Sequence, residues 1–398
     1  MKKVKSRPNH KIVPFPGLRP ALKPGLAHST PGNPFVTNSN VRIELLNNVS
    51  RVVVKLGTGV LTDAQKKPDL AQMQQLVAQM AAVRKTGKDV VLVTSGAVGS
   101  GMGVLGHSKR PADLAEMQAC AAVGQSRLMA TYEKLFGEFG IHVAQVLLTH
   151  DDLEHHERHL NARNTLVTLL NHGVIPIINE NDAISFTELK FGDNDRLSAL
   201  VAALLPADLL IILTTVDAVI ENFGQPNARP VSVIEQVDEM IESMAGGTTS
   251  ETAVGGMASK IQAAKIVIRS GIPLVIASGR KTSVLGDILA GQDEGTLFVP
   301  QPTRLTGRKR WIAFFHHPKG ALHVDDGAKV ALREGGKSLL PPGITRCEGT
   351  FVAGDVVRIC DTNGTEFARG IADFGATEIS AKTLARVEII HRDNLVIL

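Results

Sequence analysis

Short apolar runs and longer amphipathic stretches alternate along residues 51–289 of this 398-residue chain. Runs of Val, Ile and Leu are typical of buried strands, whereas apolar residues at helical spacing are typical of helices packed on a sheet. The predicted strands are 51–59, 89–96, 142–149, 174–178, 209–214 and 274–277. The predicted helices are 69–84, 111–136, 162–171, 197–205, 257–269 and 283–289. This alternation predicts an α/β domain whose mostly parallel sheet is covered by helices on both faces.

The alternation stops after Gly295, and the chain changes character. Residues 301–318 hold prolines and the basic cluster Arg308–Arg310, which predicts a linker. Short β-like pieces separated by Gly and Asp follow, and they predict a small β-barrel or sandwich. These pieces are 322–324, 351–352, 356–360, 367–371 and 386–390. The predicted regions are an extension at 1–48, an α/β domain at 49–300, the linker at 301–318 and a β domain at 319–398.

The predicted extension is basic and rich in Pro, Gly, Ser and Asn. Residues 1–40 carry seven of the 43 Lys and Arg and none of the 39 Asp and Glu, so the net charge of +4 comes from this end. Such a composition predicts disorder, and a solvated tail is favoured over contact with nucleic acid or a membrane. The rest of the chain is slightly acidic, which argues against a nucleic-acid face on the folded part.

The remaining composition is typical of a soluble globular protein, with 43% apolar and 21% charged residues. No apolar run is long enough to cross a bilayer. Cys120, Cys347 and Cys360 are far apart and lack C-x-x-C spacing. This excludes a disulfide framework and a cysteine zinc site, and it fits a reducing cytoplasm.

Polar residues concentrate between the fourth predicted strand and the following helix. Asn179–Asp182 follow the strand, Gly192–Asp195 precede the helix, and residues 183–191 between them predict a short hairpin. Ligands bind outside the carboxyl ends of strands in open parallel sheets, so we favour a polar-ligand site for the whole stretch. Asx turns and helix caps are the alternative, and capping is the favoured explanation for Asp193 or Asn194 taken alone.

Three glycine-rich turns border predicted strands or helices. Lys55–Gly59 combine a cation with bare backbone N–H groups, Thr94–Gly103 add the hydroxyl of Ser95, and Ala253–Lys260 begin a helix. Phosphate binding needs bare backbone donors and a positive charge, and a helix N-terminus adds to both. Taken alone, a lysine at a strand end is more often solvated, and a glycine loop before a helix is equally often a plain connection.

Three other patterns do not predict a site. Gly101–Gly106 match G-x-G-x-x-G, but residues 94–100 separate them from the strand, whereas a dinucleotide site needs strand, turn and helix in succession. Gly336–Ser338 resemble the end of a P-loop, but Ala331 stands where its first glycine is required. The histidine-rich run 150–159 lacks a clean metal-ligand spacing and predicts a solvated helix start.

Taken together, these segments resemble the amino-acid kinase family. The residues that carry the resemblance are 54–58, 93–97, 122–127, 147–149, 160–163, 178–182, 192–199 and 255–257, with 308–311 and 338–343 in the C-terminal part. The resemblance covers about residues 51–391, without the extension. It implies a three-layer αβα sandwich with a mostly parallel sheet, followed by a small β-barrel domain similar to PUA domains.

Within that family, the pairing of Asn179–Asp182 with Gly192–Asp195 is most similar to members that phosphorylate L-glutamate. The implied reaction transfers the γ-phosphoryl group of ATP to the side-chain carboxylate of L-glutamate, giving L-glutamyl 5-phosphate in the first step of proline biosynthesis. ATP is then a co-substrate, Mg²⁺ is carried by the nucleotide, and no protein metal site is expected. A carboxylate nucleophile is already ionised at neutral pH, so no general base is expected either.

The resemblance also implies roles for single residues. The implied catalytic residues are Lys55, Asp195 and Lys260, with Asp195 positioning the two lysines on the phosphates. The implied glutamate-binding residues are Ser95, Asn179, Asn181, Asp182 and Asn194. The implied nucleotide-binding residues are Lys55, Gly57, Thr214, Thr215, Val254, Gly255, Gly256, Met257, Ala258, Ser259 and Lys260.

Two departures from the family pattern qualify this assignment. Thr214-Thr215 stand where the family usually has Thr-Asp, so the phosphate contacts carry the resemblance better than the adenine-side contacts. The segment 372–386 is shorter than the usual end of a PUA domain, which weakens an RNA-binding role for the β domain.

Two alternative functions stay open. The first is a kinase of the same fold that phosphorylates aspartate, N-acetylglutamate or UMP. The second is a protein whose PUA-like domain binds RNA while the kinase fold is inert, although Lys55, Asp195 and Lys260 argue against it. We also expect a homo-oligomer in the cytoplasm, delivery of the labile product to a glutamyl-phosphate reductase, and no nucleic-acid or membrane partner.

Overall fold

The computed structural model describes residues 38–63, 67–184, 194–246, 256–301, 305, 307–381, 384 and 387–398. Most of the predicted extension and most of the predicted hairpin at 183–191 therefore lie outside the described residues.

Residues 38–298 follow the predicted alternation of strands and helices. Their strands are β1 Arg51–Leu56, β2 Asp89–Val93, β3 Val143–Leu148, β4 Ile175–Glu180, β5 Leu209–Thr214, β6 Val219–Glu221, β7 Arg229–Val231, β8 Val233–Ile234, β9 Leu274–Ser278 and β10 Thr296–Phe298. Their helices are α1 Asn38–Leu46, α2 Thr58–Leu61, α3 Leu70–Lys85, α4 Ala97–Met102, α5 Leu114–Gly137, α6 His150–Glu154, α7 His156–Asn171, α8 Asp195–Leu204, α9 Glu239–Gly246, α10 Met257–Arg269 and α11 Val284–Leu289.

Eight of these strands form one sheet in the order β3-β4-β2-β1-β5-β9-β10-β8. The central strand β1 pairs in parallel with β2 and β5. Only the far edge reverses direction, because β10 is antiparallel to β9 and parallel to β8. β6 and β7 form a separate antiparallel pair.

Successive residues of β1 enter two different cores, one on each face of the sheet. Val53 belongs to a core that includes Leu200 of α8 and Val267 of α10. Val54 belongs to a second core that includes Met80 of α3 and Phe136 of α5. Side chains alternate between the faces of a strand, so both faces are covered and the three-layer αβα class is confirmed.

Helix α4, which sequence reasoning missed, lies directly against α5. A Cβ atom on Gly101 would lie 1.9 Å from the carbonyl oxygen of Cys120, and one on Gly124 would lie 1.8 Å from that of Ala97. No side chain fits into a gap of this size, so both glycines are required for the backbones to approach. The glycine-rich turn after β2 therefore serves helix packing as well as any ligand.

Helix α1 lies inside the range predicted as the extension, and it is tied to the sheet by a buried arginine. Arg42 has no exposed surface. Its guanidinium donates to the carbonyls of Ser232, Glu294 and Gly295 at 2.8, 3.0 and 2.8 Å. The segment Asn38–Leu46 is therefore a helix bound to distant carbonyls, whereas the composition that predicts disorder is that of residues 1–40.

Residues 307–398 add a second, smaller sheet. The strands are β11 Gly320–Val324, β12 Ile344–Gly349, β13 Val356–Cys360, β14 Glu366–Ile371 and β15 Leu395–Ile397, in the order β12-β11-β13-β14-β15. The helices are α12 Gly307–Arg310, a π-helix Trp311–Phe315, α13 Asp326–Arg333 and α14 Ala376–Ser380, with 3₁₀ turns at Pro341–Gly343 and Arg392–Asn394. Residues 351–352 and 386–390 are not strands where they are described, and α13 was not predicted.

The π-helix lies inside the range predicted as a linker. Ile312, Phe314 and Phe315 are buried in the same core as α8 and α10, and Val356 and Val396 of the small sheet belong to that core as well. The two domains therefore share apolar contacts through this helix. None of the helices in the described part of the chain is both long and apolar enough to cross a membrane.

Candidate active site

Residues near the ends of β1, β2 and β4 meet the first turns of α8 and α10 at one edge of the main sheet. Lys55 of β1, Ser95 after β2 and Asn179 of β4 are buried there, as are Asp195 of α8 and Lys260 of α10. Buried polar side chains need partners, and the carboxyl edge of a parallel sheet is where ligands bind. This edge is therefore the candidate site.

Asp195 holds two lysines from different parts of the chain. Its Oδ1 lies 2.5 Å from Nζ of Lys55, and its Oδ2 lies 3.0 Å from Nζ of Lys260. The hydroxyl of Ser259 donates to Oδ2 at 2.9 Å. One buried carboxylate at the start of α8 thus fixes the ammonium groups of β1 and α10 relative to each other.

The same contacts control the ionisation of Asp195. Burial by itself raises the pKa of a carboxyl group, but the charges and hydrogen bonds of Lys55 and Lys260 outweigh it. They hold the pKa of Asp195 well below its ordinary range. With the carboxylate ionised, one negative charge faces two positive charges, and the excess positive charge suits a phosphate.

Asn194, at the N-cap of α8, joins this cluster to a network of amide groups. Its Nδ2 donates to the backbone oxygen of Thr94 at 2.6 Å and to Oδ1 of Asn179 at 2.7 Å, and it lies 3.3 Å from Oγ of Ser95. The capping alternative for Asn194 receives no support, because its side chain makes no cap hydrogen bond to α8.

The amide network continues towards β3. Nδ2 of Asn179 donates to Oε1 of Gln125 at 2.8 Å, and Nε2 of Gln125 donates to Oε1 of Gln145 at 3.0 Å. Asn179 and Gln125 each accept through the amide oxygen and donate through the nitrogen, so the orientations of these side chains depend on one another.

The backbone beside Ser95 is held on both sides. The hydroxyl of the preceding residue, Thr94, lies 2.7 Å from that of the fully buried Tyr132 on α5. The following residue, Gly96, has a φ of +102°, a conformation that favours glycine. The hydroxyl of Ser95 is therefore presented from a fixed turn between β2 and α4.

A cavity of about 220 Å³ lies beside the amide network. Its polar wall includes Gln125, Gln145, Glu180, Asn181 and Asp182. Glu180 is 5% exposed, and its Oε1 has no hydrogen-bond partner among the described residues. The cavity is thus lined by acids and amides at one end of the same sheet edge.

The two acids of the cavity wall are harder to ionise than ordinary carboxyl groups. Burial raises the pKa of Glu180 to about 8, and the charges of Asp182 and Asp152 add to the effect. Burial also raises the pKa of Asp182 to about 6, although the charge of Arg110 acts against it. The present surroundings of both carboxyl groups stabilise the ionised form poorly. A positively charged partner would stabilise that form, so both groups would bind one favourably.

Some of the residues assigned to the nucleotide lie around the ends of β1 and β5. The N–H of Gly57, between β1 and α2, donates to the backbone oxygen of Leu213 at 3.2 Å. Thr214 ends β5, and Thr215 lies so close to Gly59 that a Cβ there would be 3.0 Å from its Cγ2. These contacts keep the backbone of β1 and β5 close together at this edge.

The remaining nucleotide residues open α10. Gly256 is the N-cap of this helix, and Met257, Ala258, Ser259 and Lys260 form its first turn. Backbone N–H groups at such a helix start attract anions. Val254 and Gly255 lie outside the described residues.

The structure thus brings the three predicted catalytic residues into direct contact. It joins the predicted glutamate-binding residues Ser95, Asn179 and Asn194 in one network and places Asn181 and Asp182 on the cavity wall. The roles assigned to these residues stay predictions.

Sequence reasoning missed the parts played by Gln125, Tyr132 and Gln145. Gln125 and Tyr132 are buried polar residues among the apolar residues of α5, whereas Gln145 is an exposed residue of β3 that joins the network through Gln125. A buried polar group needs a partner, and this is the signal that could have drawn attention to Gln125 and Tyr132. Their partners are far along the chain, so spacing in the sequence alone does not identify the network.

A carboxylate that holds two lysines at the carboxyl edge of a parallel αβα sheet defines a site for phosphate chemistry. The chain belongs to the amino acid kinase family, whose model matches residues 50–278. The model of the PUA domain matches residues 320–392. These matches confirm the resemblance drawn from the sequence and the predicted fold class.

Individual proteins similar to this chain have a more narrowly defined activity than the family as a whole. The chain is 47% identical over 373 residues to the glutamate 5-kinase of Geobacter sulfurreducens, covering 90% of this chain and 100% of that protein. It is 46% identical over 372 residues to the glutamate 5-kinase of Syntrophotalea carbinolica, with the same two coverages. Among solved structures, carbamate kinase from Giardia lamblia bound to AMP-PNP aligns with a TM-score of 0.48 and 19% identity, covering 64% of this chain and 100% of that one.

Proposed function

We propose that this chain transfers the γ-phosphoryl group of ATP to the side-chain carboxylate of L-glutamate and releases L-glutamyl 5-phosphate, the first intermediate of proline biosynthesis. The observation that carries the proposal is Asp195, ionised and buried between Lys55 and Lys260 beside a network of amides. The similar proteins of G. sulfurreducens and S. carbinolica are glutamate 5-kinases, which supports L-glutamate as the acceptor.

In this reaction, a carboxylate oxygen of glutamate attacks the γ-phosphorus, and the bond from that phosphorus to the β,γ-bridging oxygen breaks. ADP leaves with the electron pair of that bond. The acceptor carboxylate is already ionised at neutral pH, so no residue has to remove a proton from it. Catalysis then depends on alignment of the two substrates and on stabilisation of the charge on the transferred group.

The lysine cluster supplies the charge stabilisation. Lys55 and Lys260 approach the carboxylate of Asp195 from β1 and α10, so their ammonium groups are positioned before substrate binds. Preorganised positive charge in a buried site stabilises a phosphoryl transition state more strongly than the same charge in water. Asp195 acts through the lysines, as a positioning residue.

The amide network supplies the alignment of the acceptor. Asn194 is adjacent to Asp195 in the chain and contacts Ser95 and Asn179, so the network is directly connected to the lysine cluster. Amide and hydroxyl donors suit the carboxylates of glutamate, and Asp182 suits its α-ammonium group.

Mg²⁺ enters this scheme with the nucleotide. The donor set at the phosphate end consists of two ammonium groups, one hydroxyl and a carboxylate already held by both lysines, which fits phosphate oxygens better than a cation. Mg²⁺ commonly binds to the phosphates of ATP rather than to an all-protein cage, and it would neutralise charge on the β- and γ-phosphates.

A coupled assay of ADP release tests the proposal. The purified chain with ATP and Mg²⁺ is expected to release ADP when L-glutamate is added, and hydroxylamine is expected to trap the acyl phosphate as a hydroxamate. L-Aspartate, N-acetyl-L-glutamate and UMP serve as competing acceptors. Turnover with one of these but not with L-glutamate would contradict the proposed acceptor while preserving the kinase assignment.

The product also defines a partner. An acyl phosphate is a reactive mixed anhydride that water hydrolyses, so we propose prompt delivery to a glutamyl-phosphate reductase.

We place the reaction in the cytoplasm, where Cys120, Cys347 and Cys360 stay reduced. All three are free thiols in the structure. We keep the homo-oligomer as a proposal, which sedimentation of the purified chain tests.

A further inference from the structure

Glu180 is a buried acid that the proposed reaction does not use. It ends β4, is 5% exposed, and contributes to the wall of the 220 Å³ cavity. Its Oε1 is closed off from solvent and has no hydrogen-bond partner among the described residues. A buried carboxyl group without a partner is costly, so its retention at a cavity wall points to a partner that enters from outside.

The charges around the cavity indicate what that partner is. Glu180 and Asp182 both line it, whereas none of its described lining residues is Lys or Arg. Asp152 adds a further negative charge near Glu180, and Arg110 acts on Asp182 from outside the lining. A cavity with this balance favours a cation that donates hydrogen bonds.

The opposite polarity is found at the other end of the site. There Lys55 and Lys260 leave an excess of positive charge around Asp195. A zwitterionic acceptor matches the polarity of both ends, because its reacting carboxylate suits the lysines and its ammonium group suits the acids. A dicarboxylic acid without the ammonium group fits only the lysine end.

We propose that Glu180 is a specificity-determining residue that, together with Asp182, accepts hydrogen bonds from the α-ammonium group of the acceptor and so selects amino acids over plain dicarboxylic acids. This inference rests on the proposed function, because it assigns a further contact in the same acceptor site. The roles implied by the family resemblance do not include Glu180.

Glutarate provides the probe for this role, since it has both carboxylates of glutamate and lacks only the amino group. The KM of L-glutamate and the inhibition constant of glutarate are measured for the wild type and for Glu180→Gln, which keeps the size of the side chain but cannot form a carboxylate when an ammonium group binds. We expect the KM of L-glutamate to rise about 10–100-fold in the variant, kcat to stay within about threefold, and the inhibition constant of glutarate to change less than about threefold.

Asp151→Asn is the matched control. Asp151 is an exposed acid on the neighbouring helix α6 and does not line the cavity. Its neutralisation removes the same charge from the same region, so both constants are expected to remain at the wild-type values. A glutamate-specific effect in both variants would assign the selectivity to the general field of the protein and overturn the role of Glu180.

Two results in Glu180→Gln contradict the inference. An unchanged KM for L-glutamate would exclude the proposed contact. An equal rise in the KM of L-glutamate and the inhibition constant of glutarate would show that Glu180 only maintains the shape of the cavity. Absence of L-glutamate turnover in the wild type is a different result, because it removes the proposed function itself.

Glu180→Asp keeps the inference testable if the glutamine variant does not fold. Aspartate retains the charge on a shorter side chain, so a preference for L-glutamate over glutarate is expected to persist, with a KM about 3–10-fold above the wild type. Loss of that preference while the charge is retained would contradict the proposed interaction.

Discussion

At the scale of single residues, the site depends on pairs that are distant in the chain. The polar stretch around Asn179–Asp195 predicts a ligand site at a strand end, and Asp195 is indeed buried there. Its contacts with Lys55 and Lys260 could not be inferred from spacing, because they depend on the order of β1, β4, β5 and β9 in the sheet. The resemblance to the kinase family implied a shared role for these three residues, which hydrophobic periodicity could not do.

The first prediction concerns Lys260. Lys260→Ala is expected to reduce kcat about 100–1000-fold, because one of two preorganised charges on the transferred group is lost. Folding is expected to change far less, since Asp195 retains Lys55 and Ser259. Steady-state kinetics and thermal unfolding measure the two effects.

Lys265→Ala is the control for that change. Lys265 lies on the same helix and pairs with Glu242 outside the site, so its removal is expected to leave kcat unchanged. Wild-type turnover in Lys260→Ala would exclude the assigned role of the lysine pair.

The second prediction concerns the acidity of Glu180. The pKa of its carboxyl group is about 8 in the folded chain, against an ordinary value of 4.5, so the folded state favours the protonated form. The resulting stability is fully present below about pH 4.5 and is lost as the pH rises towards 8. Asp182 and Asp152 face this group and add to the effect.

Glu180→Gln removes this pH dependence. We expect the variant to exceed the wild type in free energy of unfolding by about 4 kcal/mol at pH 8 and by less than about 1 kcal/mol at pH 5. Denaturant titrations across this range measure the difference. A variant less stable than the wild type at pH 8 would show that the ionised carboxylate is satisfied in the folded state.

At the scale of elements, the strand and helix pattern was predicted well wherever apolar periodicity was strong. Helix α10 has the predicted bounds, and β5 does as well. The short helix α4 was missed, because a glycine-rich segment gives no apolar face long enough to recognise, whereas α6 lies at the helix start predicted for residues 150–159. Tertiary contact with α5 stabilises α4, and that contact is invisible in a local pattern.

The third prediction tests the contact between α4 and α5. Gly101→Ala is expected to lower the free energy of unfolding by about 2–3 kcal/mol, because the added methyl group would lie 1.9 Å from the oxygen of Cys120. The KM of L-glutamate is expected to rise too, since Ala97 of α4 lines the cavity. Chemical denaturation and kinetics give the two values.

Gly99→Ala is the matched variant on the same helix. A Cβ on Gly99 would meet no atom within 4 Å, so the substitution is expected to be neutral or slightly stabilising through helix propensity. Equal destabilisation by both substitutions would show that α4 itself, and not its approach to α5, limits the stability.

At the scale of the whole molecule, the sequence predicts two domains but not the way they are joined. The segment containing the π-helix has a basic start and prolines before it, which are typical of a linker. Its apolar residues are too few to show a helical period, so their burial against α8, α10 and the small sheet could not be predicted. Phe314 and Phe315 thus belong to a core shared by both domains.

The fourth prediction follows from this shared core. Trp311, the only tryptophan, lies in the π-helix, so its fluorescence reports on the junction. Fluorescence and far-UV circular dichroism are expected to give one common unfolding transition. Phe315→Ala should lower that transition for both signals, by about 3–5 kcal/mol in free energy, because a fully buried aromatic ring is lost. Two separate transitions in the wild type would mean that the domains unfold independently.

The hydrogen bonds of Arg42 also bear on the order in which the chain is made. Its acceptors Ser232 and Gly295 lie 190 and 253 residues further along the chain. At about 5–20 residues per second, a ribosome needs about 13–50 s to reach Gly295 after it has added Arg42. During that interval Arg42 lacks its full set of acceptors, so a nascent chain that stops short of residue 295 exposes this arginine to chaperones and proteases.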